Sequence, residues 1–273
     1  MPRDRLDVWL VERGFFASRQ QAQRSILAGE VRVNGEVVDK PGTAIAGDPE
    51  IFLKPKPAYV SRGGDKLAGA LDAFGVDVAT RICLDGGIST GGFTDCLLQR
   101  GATEVFGIDV GYGQVAWSLR NDPRVHLKER TNLRHLTPDE LYESDRPSDR
   151  WPDLTVIDVS FISLTKVLPA VWELLRSPRE AVLLVKPQFE AGRDRVGKKG
   201  VVRDPKVHAD VLLKVARSAL ELGWGYREAT WSPVVGPAGN IEYWLWLHEQ
   251  SDRPLPEIEA FRDLARRARE ALR

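Results

Sequence analysis

Four charged side chains interrupt otherwise apolar or glycine-rich segments, and together they could orient a hydroxyl group and help it lose a proton. Lys66 lies in SRGGDKL, Asp158 ends TVID, Lys186 follows VLLV, and Glu242 precedes YWLWL. A buried charge is costly unless it is paired, so each of these residues needs a partner or a function. A structural ion pair would explain any one of them. Four that converge favour a catalytic group of lysines and carboxylates.

A glycine-rich turn provides a second candidate site. The segment ICLDGGISTGGF runs from an apolar strand ending in Asp85 into a helix, and the next strand, VFGID, ends in Asp109. Glycines allow the backbone to approach a ligand closely, and an acid after the second strand can accept hydrogen bonds from ribose hydroxyls. The turn is neither GxGxxG nor a phosphate loop. It fits S-adenosylmethionine, which has ribose hydroxyls but no phosphate; a turn without a ligand is the alternative. The predicted cofactor-binding residues are Asp85, Gly86, Gly87, Ser89, Gly91, Gly92, Phe93, Asp109 and Asn132, the last of which is equally well explained as a cap.

The elements that must position these residues alternate between strands and helices. Strands are predicted at 81–85, 104–109, 125–129, 154–158, 181–186, 227–232 and 241–247. This alternation predicts an α/β fold with a doubly wound, Rossmann-like parallel sheet, whose ligands lie at the carboxyl ends of the strands. The last two strands are separated only by SPVVGPAGN, which is too short for a parallel crossover. We therefore predict six parallel strands and a reversed seventh, the methyltransferase variant of the fold.

This topology explains how the four charged residues meet. Asp158 and Lys186 end neighbouring parallel strands, and Glu242 begins the reversed strand at the same edge of the sheet. Lys66 lies on a helix predicted over Gly64–Phe74, from which its side chain can reach that edge. Convergence from distant parts of the chain favours function over four separate structural explanations.

The first sixty residues predict a small, separate α+β domain. One helix stops at Gly14, a second begins at Ser18, and Asn34-Gly35 is a strong hairpin signal. Short strands follow, and prolines then mark a linker. We predict an N-terminal domain over 1–55, a linker over 56–62, the large domain over 63–250 and a C-terminal helix over 251–273.

Composition narrows the classes of function. The 273 residues carry 39 lysines and arginines against 39 acids, so any surface for nucleic acid must come from local segregation of charge. Two cysteines and four scattered histidines suggest neither a disulfide framework nor a metal site. No signal peptide and no apolar run of about 18 residues is evident. We expect a cytoplasmic, monomeric protein that binds no metal and no membrane.

The N-terminal pattern resembles the S4-like (αL) RNA-binding domain. The matching residues are Leu10, Gly14, Ser18, Arg19, Ala22, Gly29, Val31, Val33, Asn34 and Gly35. The resemblance implies that Arg19 and neighbouring basic residues, among them Arg24, face RNA phosphates. Solvated surface charges are the alternative interpretation.

The large domain resembles the FtsJ-like ribose 2′-O-methyltransferases, because Lys66, Asp158, Lys186 and Glu242 match their K-D-K-E tetrad. With YVSRGGDKL, STGGFTDCLL, DVSFISL and VKPQFE, the whole chain resembles the TlyA family, whose members are also called haemolysins. The resemblance implies S-adenosylmethionine as cofactor and methylation of cytidine ribose in ribosomal RNA. On this hypothesis Lys186 contacts the 2′-oxygen, Asp158 and Glu242 hold that lysine, and Lys66 balances their charge and fixes the ribose or its phosphate.

A basic segment follows the third tetrad residue. Residues 186–206 carry seven basic and three acidic side chains, a net charge of +4, and form a candidate clamp for RNA phosphates. The predicted contacts are Arg193, Arg195, Lys198 and Lys199. Phe161 and Phe189 could stack a base, or belong to the core. The rival functions are a membrane-active haemolysin and an RNA-binding ribosome assembly factor without catalysis.

Overall fold

The computed structural model describes residues 4–55 and 57–272. These residues form two compact units, of which the first ends at Pro57 and the second begins at Ala58. The ends of the predicted domains at residues 1–3 and 273, and the first residue of the predicted linker, Lys56, lie outside the described residues.

The first unit pairs two helices with short antiparallel strands. Ser18 Oγ accepts a hydrogen bond from the backbone N–H of Gln21 (3.3 Å) and begins the second helix, as predicted. Asn34 and Gly35 adopt positive φ angles of 51° and 84° and connect two antiparallel strands, which confirms the hairpin. The elements are β1 (Asp4–Arg5), α1 (Leu6–Glu12), α2 (Arg19–Leu27), β2 (Val31–Val33), β3 (Glu36–Val37), β4 (Ala44–Ile45) and β5 (Ile51–Leu53).

The second unit is an α/β sandwich around a seven-stranded sheet. Its strands are β6 (Ile82–Gly86), β7 (Glu104–Ile108), β8 (Val125–Lys128), β9 (Leu154–Ile157), β10 (Glu180–Val185), β11 (Gly225–Trp231) and β12 (Tyr243–His248). Their order is β11-β12-β10-β9-β6-β7-β8, and β12 runs antiparallel to both of its neighbours. The predicted sheet with a reversed seventh strand is confirmed.

Helices cover both faces of this sheet, and the longer ones bury one apolar side against it. They are α3 (Arg62–Phe74), α4 (Gly92–Gln99), α5 (Trp117–Arg120), α6 (Pro138–Leu141), α7 (Leu164–Glu173), α8 (Pro187–Glu190), α9 (Pro205–Leu220) and α10 (Ile258–Ala271). Helices α3, α4 and α5 contribute to one buried cluster, and α7, α9 and α10 contribute to the other. The C-terminal helix is shorter than predicted, beginning at Ile258 after a segment that contains Pro254 and Pro256. No described helix combines the length and apolar content needed to cross a membrane.

The amino-terminal edge of the sheet is held together by buried charges. Arg81, just before β6, donates to Asp153 (2.7 Å), just before β9, and also pairs with Glu180 at the start of β10. The indole N–H of Trp246 donates to the second carboxylate oxygen of Glu180 (2.6 Å). Three parallel strands and the reversed strand are thereby joined at the edge opposite the predicted site.

Candidate active site

The four charged residues lie at the carboxyl-terminal edge of the sheet as two ion pairs. Asp158 follows β9 and Lys186 follows β10; Lys186 Nζ lies 2.5 Å from Asp158 Oδ1. Glu242 precedes β12, and its Oε2 accepts a hydrogen bond from Lys66 Nζ on α3 (2.7 Å). Lys66 and Asp158 line the same cavity, so the two pairs face a common space.

The pairing differs in one respect from the sequence hypothesis, in which both Asp158 and Glu242 hold Lys186. Among the described residues, Glu242 makes its ion pair with Lys66, because α3 carries that lysine over the start of β12. The second contact of Lys186 is instead the hydroxyl of Ser160, to which Nζ donates at 2.9 Å. Sequence reasoning missed Ser160, although its place two residues after Asp158 was a usable signal.

A tight turn fixes Glu242, whose side chain is only 2% exposed. A Cβ on Gly236 would lie 2.6 Å from Glu242 Oε1, so a side chain there would displace the carboxylate. The buried Asn240 amide donates to the carbonyl of Gly200 (2.9 Å) and accepts from the N–H of Val202 (3.0 Å). These bonds tie the turn before β12 to the end of the basic segment.

Two adjoining cavities lie at this edge and share Gly87, Ser89 and Asp158 as lining residues. The smaller, of about 220 Å³, is bordered by the start of α3 and by Lys66. The larger, of about 360 Å³, extends past Asp109. Together they form a cleft that reaches from the glycine-rich turn to the tetrad.

The predicted cofactor residues divide into those that line the cleft and those outside its lining. Gly87, Ser89, Gly92, Phe93, Asp109 and Asn132 line the cavities, whereas Asp85, Gly86 and Gly91 do not. The Asp109 carboxylate accepts from the backbone N–H groups of Ser89 (2.8 Å) and Gly111 (2.7 Å), which fixes its orientation. Asn132 caps a short 3₁₀ turn through Arg134 N–H (3.1 Å) and also lines the larger cavity.

The glycines of the turn are required by close contacts. Gly87 has φ of 90°, and a Cβ there would lie 2.5 Å from the carbonyl oxygen of Asp158. At Gly91, with φ of 99°, a Cβ would lie 2.3 Å from the Leu119 side chain. Glycine at these two positions therefore lets the turn pack closely against Asp158 and Leu119.

Asp85 is a fully buried carboxylate beneath the turn. Its Oδ2 accepts from the Thr94 hydroxyl (2.6 Å), whereas Oδ1 has no partner among the described residues. Burial raises the pKa of Asp85 to about 7; the nearby Asp158 charge adds to the rise, and the Thr94 hydrogen bond opposes it. Asp85 lines neither cavity, but it lies at the end of the strand that leads into the glycine-rich turn.

The predicted RNA-binding residues are not equally available. Arg19 Nε donates to the buried Asp7 (2.9 Å), a carboxylate that also holds Arg5 and Gln23 and whose pKa is lowered by these contacts although burial opposes the shift. Arg195 pairs with Asp210 (2.9 Å). Exposed side chains without a described ion pair are those of Arg24, Arg193, Lys198 and Lys199.

Two aromatic rings flank the Lys186–Asp158 pair. Phe161 is 92% exposed, which excludes the core interpretation for it, and its φ of 65° is unusual for a residue with a side chain. Its ring centroid lies 5.0 Å from that of the half-buried Phe189, above whose ring Lys186 Nζ lies at 5.8 Å. An exposed ring beside the tetrad is a suitable platform for a nucleobase.

Comparison with known proteins adds independent evidence. The FtsJ-like methyltransferase family model matches residues 59–249, and the S4 domain model matches residues 4–48. The chain is 51% identical over 255 residues to the 16S/23S rRNA (cytidine-2′-O)-methyltransferase TlyA of Mycobacterium tuberculosis, covering 93% of this chain and 92% of that protein. The chain belongs to the TlyA family of FtsJ-like methyltransferases.

Other relatives of the TlyA family carry the haemolysin name. Hemolysin A of Brachyspira hyodysenteriae is 41% identical over 239 residues, covering 88% of this chain and 97% of that protein. A solved structure from Streptococcus thermophilus, assigned as a hemolysin, superposes with a TM-score of 0.73 at 41% identity, covering 99% of this chain and 97% of that one. The name is therefore a secondary label within one family, and the resemblance read from the sequence is confirmed.

Proposed function

We propose that the protein transfers a methyl group from S-adenosylmethionine to the ribose 2′-hydroxyl of cytidine in ribosomal RNA. The observation that carries the proposal is the pair of lysine–carboxylate contacts at the mouth of a cleft lined by a glycine-rich turn. The activity of the Mycobacterium tuberculosis relative supplies the substrate class.

The residues present fit the cofactor. When bound, S-adenosylmethionine supplies a methyl group already activated by its sulfonium. Asp109, oriented by two backbone N–H groups, would accept from the ribose hydroxyls, and Asn132 would border the adenine. The unpartnered Oδ1 of Asp85 supports a cationic group nearby. Gly86, Gly87, Ser89, Gly91, Gly92 and Phe93 would shape the turn around the rest of the molecule.

Lys186 is the proposed catalytic residue nearest the acceptor oxygen. Its ammonium donates to the Ser160 hydroxyl and lies 2.5 Å from a carboxylate oxygen of Asp158, and these contacts fix its position. We assign it the orientation of the 2′-oxygen and the stabilisation of negative charge that develops there, because an ammonium fixed beside the acceptor can donate a hydrogen bond to that oxygen. Lys66, paired with Glu242, would fix the ribose or its phosphate.

The S4 domain and the basic segment are each proposed to contact RNA. Arg24, Arg193, Lys198 and Lys199 are free to meet phosphates, whereas Arg19 and Arg195 would use the N–H groups left over from their ion pairs. Phe161 would stack on the target base. Ribosomal subunits are the proposed partner, which implies work in the cytoplasm; the monomeric state stays a prediction.

The decisive experiment is transfer of tritiated methyl from S-adenosylmethionine to purified ribosomal subunits, followed by mass spectrometry of the nucleosides. We expect 2′-O-methylcytidine with the wild-type protein and none with Lys186→Ala, while Lys186→Ala keeps its affinity for the cofactor. Cofactor binding without methyl transfer to any subunit or naked RNA would favour the assembly-factor alternative. Leakage of dye from liposomes exposed to the pure protein would favour the haemolysin alternative.

A further inference from the structure

Glu190 is a buried carboxylate that the mechanism above does not use. It is the last residue of α8 and only 4% exposed. Its Oε1 accepts from the backbone N–H of Leu164 (2.6 Å), and its Oε2 accepts from the Ser163 hydroxyl (2.5 Å). Ser163 is the residue that caps the start of α7, so Glu190 holds the N-terminus of a helix 26 residues earlier in the chain.

This contact joins the two loops that carry the reacting groups. The Asp158 loop (158–163) leaves β9, and the Lys186 loop (186–190) leaves the adjacent strand β10. Near their strands the loops touch through Lys186 with Asp158 and Ser160, and further out through the two phenylalanine rings. Glu190 closes the far end of the same pair of loops. The relative position of lysine and carboxylate is thus fixed at both ends.

A carboxylate suits this position for a physical reason. The first N–H groups of a helix lack partners within the helix and carry partial positive charge, so an anion stabilises them. The two oxygens of a carboxylate can accept hydrogen bonds from the Leu164 N–H and the Ser163 hydroxyl at the same time. The ammonium of Lys214 donates to the backbone carbonyl of Glu190 (3.2 Å), which fixes the residue from the side of α9.

We propose that Glu190 is a positioning residue for methyl transfer: its hydrogen bonds to the start of α7 fix the position of the Asp158 loop relative to the Lys186 loop. The inference rests on the proposed function. It assigns Glu190 no contact with substrate or cofactor, and it predicts an effect on kcat beyond any effect on stability.

The test compares Glu190→Ala with Glu190→Gln and with a matched control, Glu180→Ala. Glu180 begins the same strand, β10, is also buried, and has both carboxylate oxygens engaged, but it lies at the opposite edge of the sheet. Methyl transfer to ribosomal subunits is measured at a temperature where melting curves show all variants folded. Displacing aligned groups by about 1 Å costs on the order of 100-fold in rate. We expect kcat to fall by roughly that factor in Glu190→Ala, by less than about tenfold in Glu190→Gln, and by no more than about threefold in Glu180→Ala.

Equal kcat losses in Glu190→Ala and Glu180→Ala, or an unchanged kcat in Glu190→Ala, would overturn the proposal. If Glu190→Ala does not fold, Ser163→Ala removes one of the two contacts and should lower kcat about tenfold; an unchanged kcat there overturns the proposal equally. Failure of the proposed function is distinguishable, because then the wild-type protein itself transfers no methyl group.

Discussion

Replacing Asp85 by asparagine should stabilise the folded protein, and the gain should grow as the pH rises. Asp85 is fully buried, and one of its carboxylate oxygens has no partner among the described residues. Burial is the largest cause that raises its pKa from 3.8 to about 7. An asparagine at this position would keep the shape of the side chain without the charge that the folded state accommodates poorly.

The sign of the effect follows from proton linkage. Because the folded state holds the Asp85 proton more tightly than the unfolded state does, unfolding releases a proton between pH 3.8 and about 7. Stability contributed by this group is therefore complete below pH 3.8 and is lost as the pH rises through that window. A difference of about three pKa units corresponds to about 4 kcal/mol above pH 7 and to about 2 kcal/mol at pH 5.

Urea unfolding of the wild-type protein and Asp85→Asn at pH 5, 6.5 and 8 measures this directly. The difference in free energy of unfolding between the two proteins should grow by roughly 2–3 kcal/mol from pH 5 to pH 8. All other titrating groups are common to both proteins and cancel in that difference. A difference that stays constant across this range would refute the reasoning, since it would mean that Asp85 is charged in the folded state without penalty.

The same substitution should weaken cofactor binding. If the buried charge serves a cationic group of S-adenosylmethionine, Asp85→Asn gains stability and loses affinity, a trade-off common at binding sites. Isothermal titration of the cofactor at pH 8 checks this, and equal affinity of both proteins would contradict the role proposed for Asp85.

Three further predictions test other parts of the structure. Lys66→Met and Glu242→Gln should each lower the free energy of unfolding in urea by about 3 kcal/mol, because each change leaves a buried charge unpaired. The loss in the double variant should be smaller than the sum of the two single losses by more than about 1 kcal/mol. Additive losses would contradict the ion pair. The double variant Lys198→Ala/Lys199→Ala should bind ribosomal RNA more weakly, and the slope of log Kd against log salt concentration should fall by about 1–2. An unchanged slope would show that this segment is not part of the RNA interface. Arg81→Met should lower the free energy of unfolding by about 3 kcal/mol because Glu180 loses its ion-pair partner, yet leave kcat of the folded protein unchanged.

The sheet with its reversed last strand, and the edge at which the charged residues lie, could be predicted because both depend on local signals in the sequence. The alternation of apolar strands with amphipathic helices is visible within short windows, and the brevity of SPVVGPAGN alone required an antiparallel last pair. Once the strand directions are known, Asp158, Lys186 and Glu242 must share an edge. That reasoning needs no side-chain geometry.

The choice of partners could not be predicted, because it depends on how helices sit over the sheet. Nothing in SRGGDKL indicates that Lys66 contacts Glu242. The sequence likewise does not indicate that Lys186 contacts the hydroxyl of Ser160 and not Glu242. Arg19 is engaged by a buried acid, Asp7, that looks like an ordinary residue in the first turn of a helix. Contacts of this kind join residues that are 12 to 176 positions apart.

The arrangement of charge suggests how binding and chemistry are kept separate. Each lysine of the tetrad is matched by a carboxylate, so the tetrad itself carries no net charge, as is true of the chain as a whole. Exposed basic residues such as Lys198 and Lys199 attract the phosphates. Salt readily screens the charges of exposed residues. Contacts between lysine and carboxylate that are largely buried are screened much less. Salt should therefore raise KM for RNA while kcat changes little, because the groups that capture the substrate are distinct from those that align its hydroxyl.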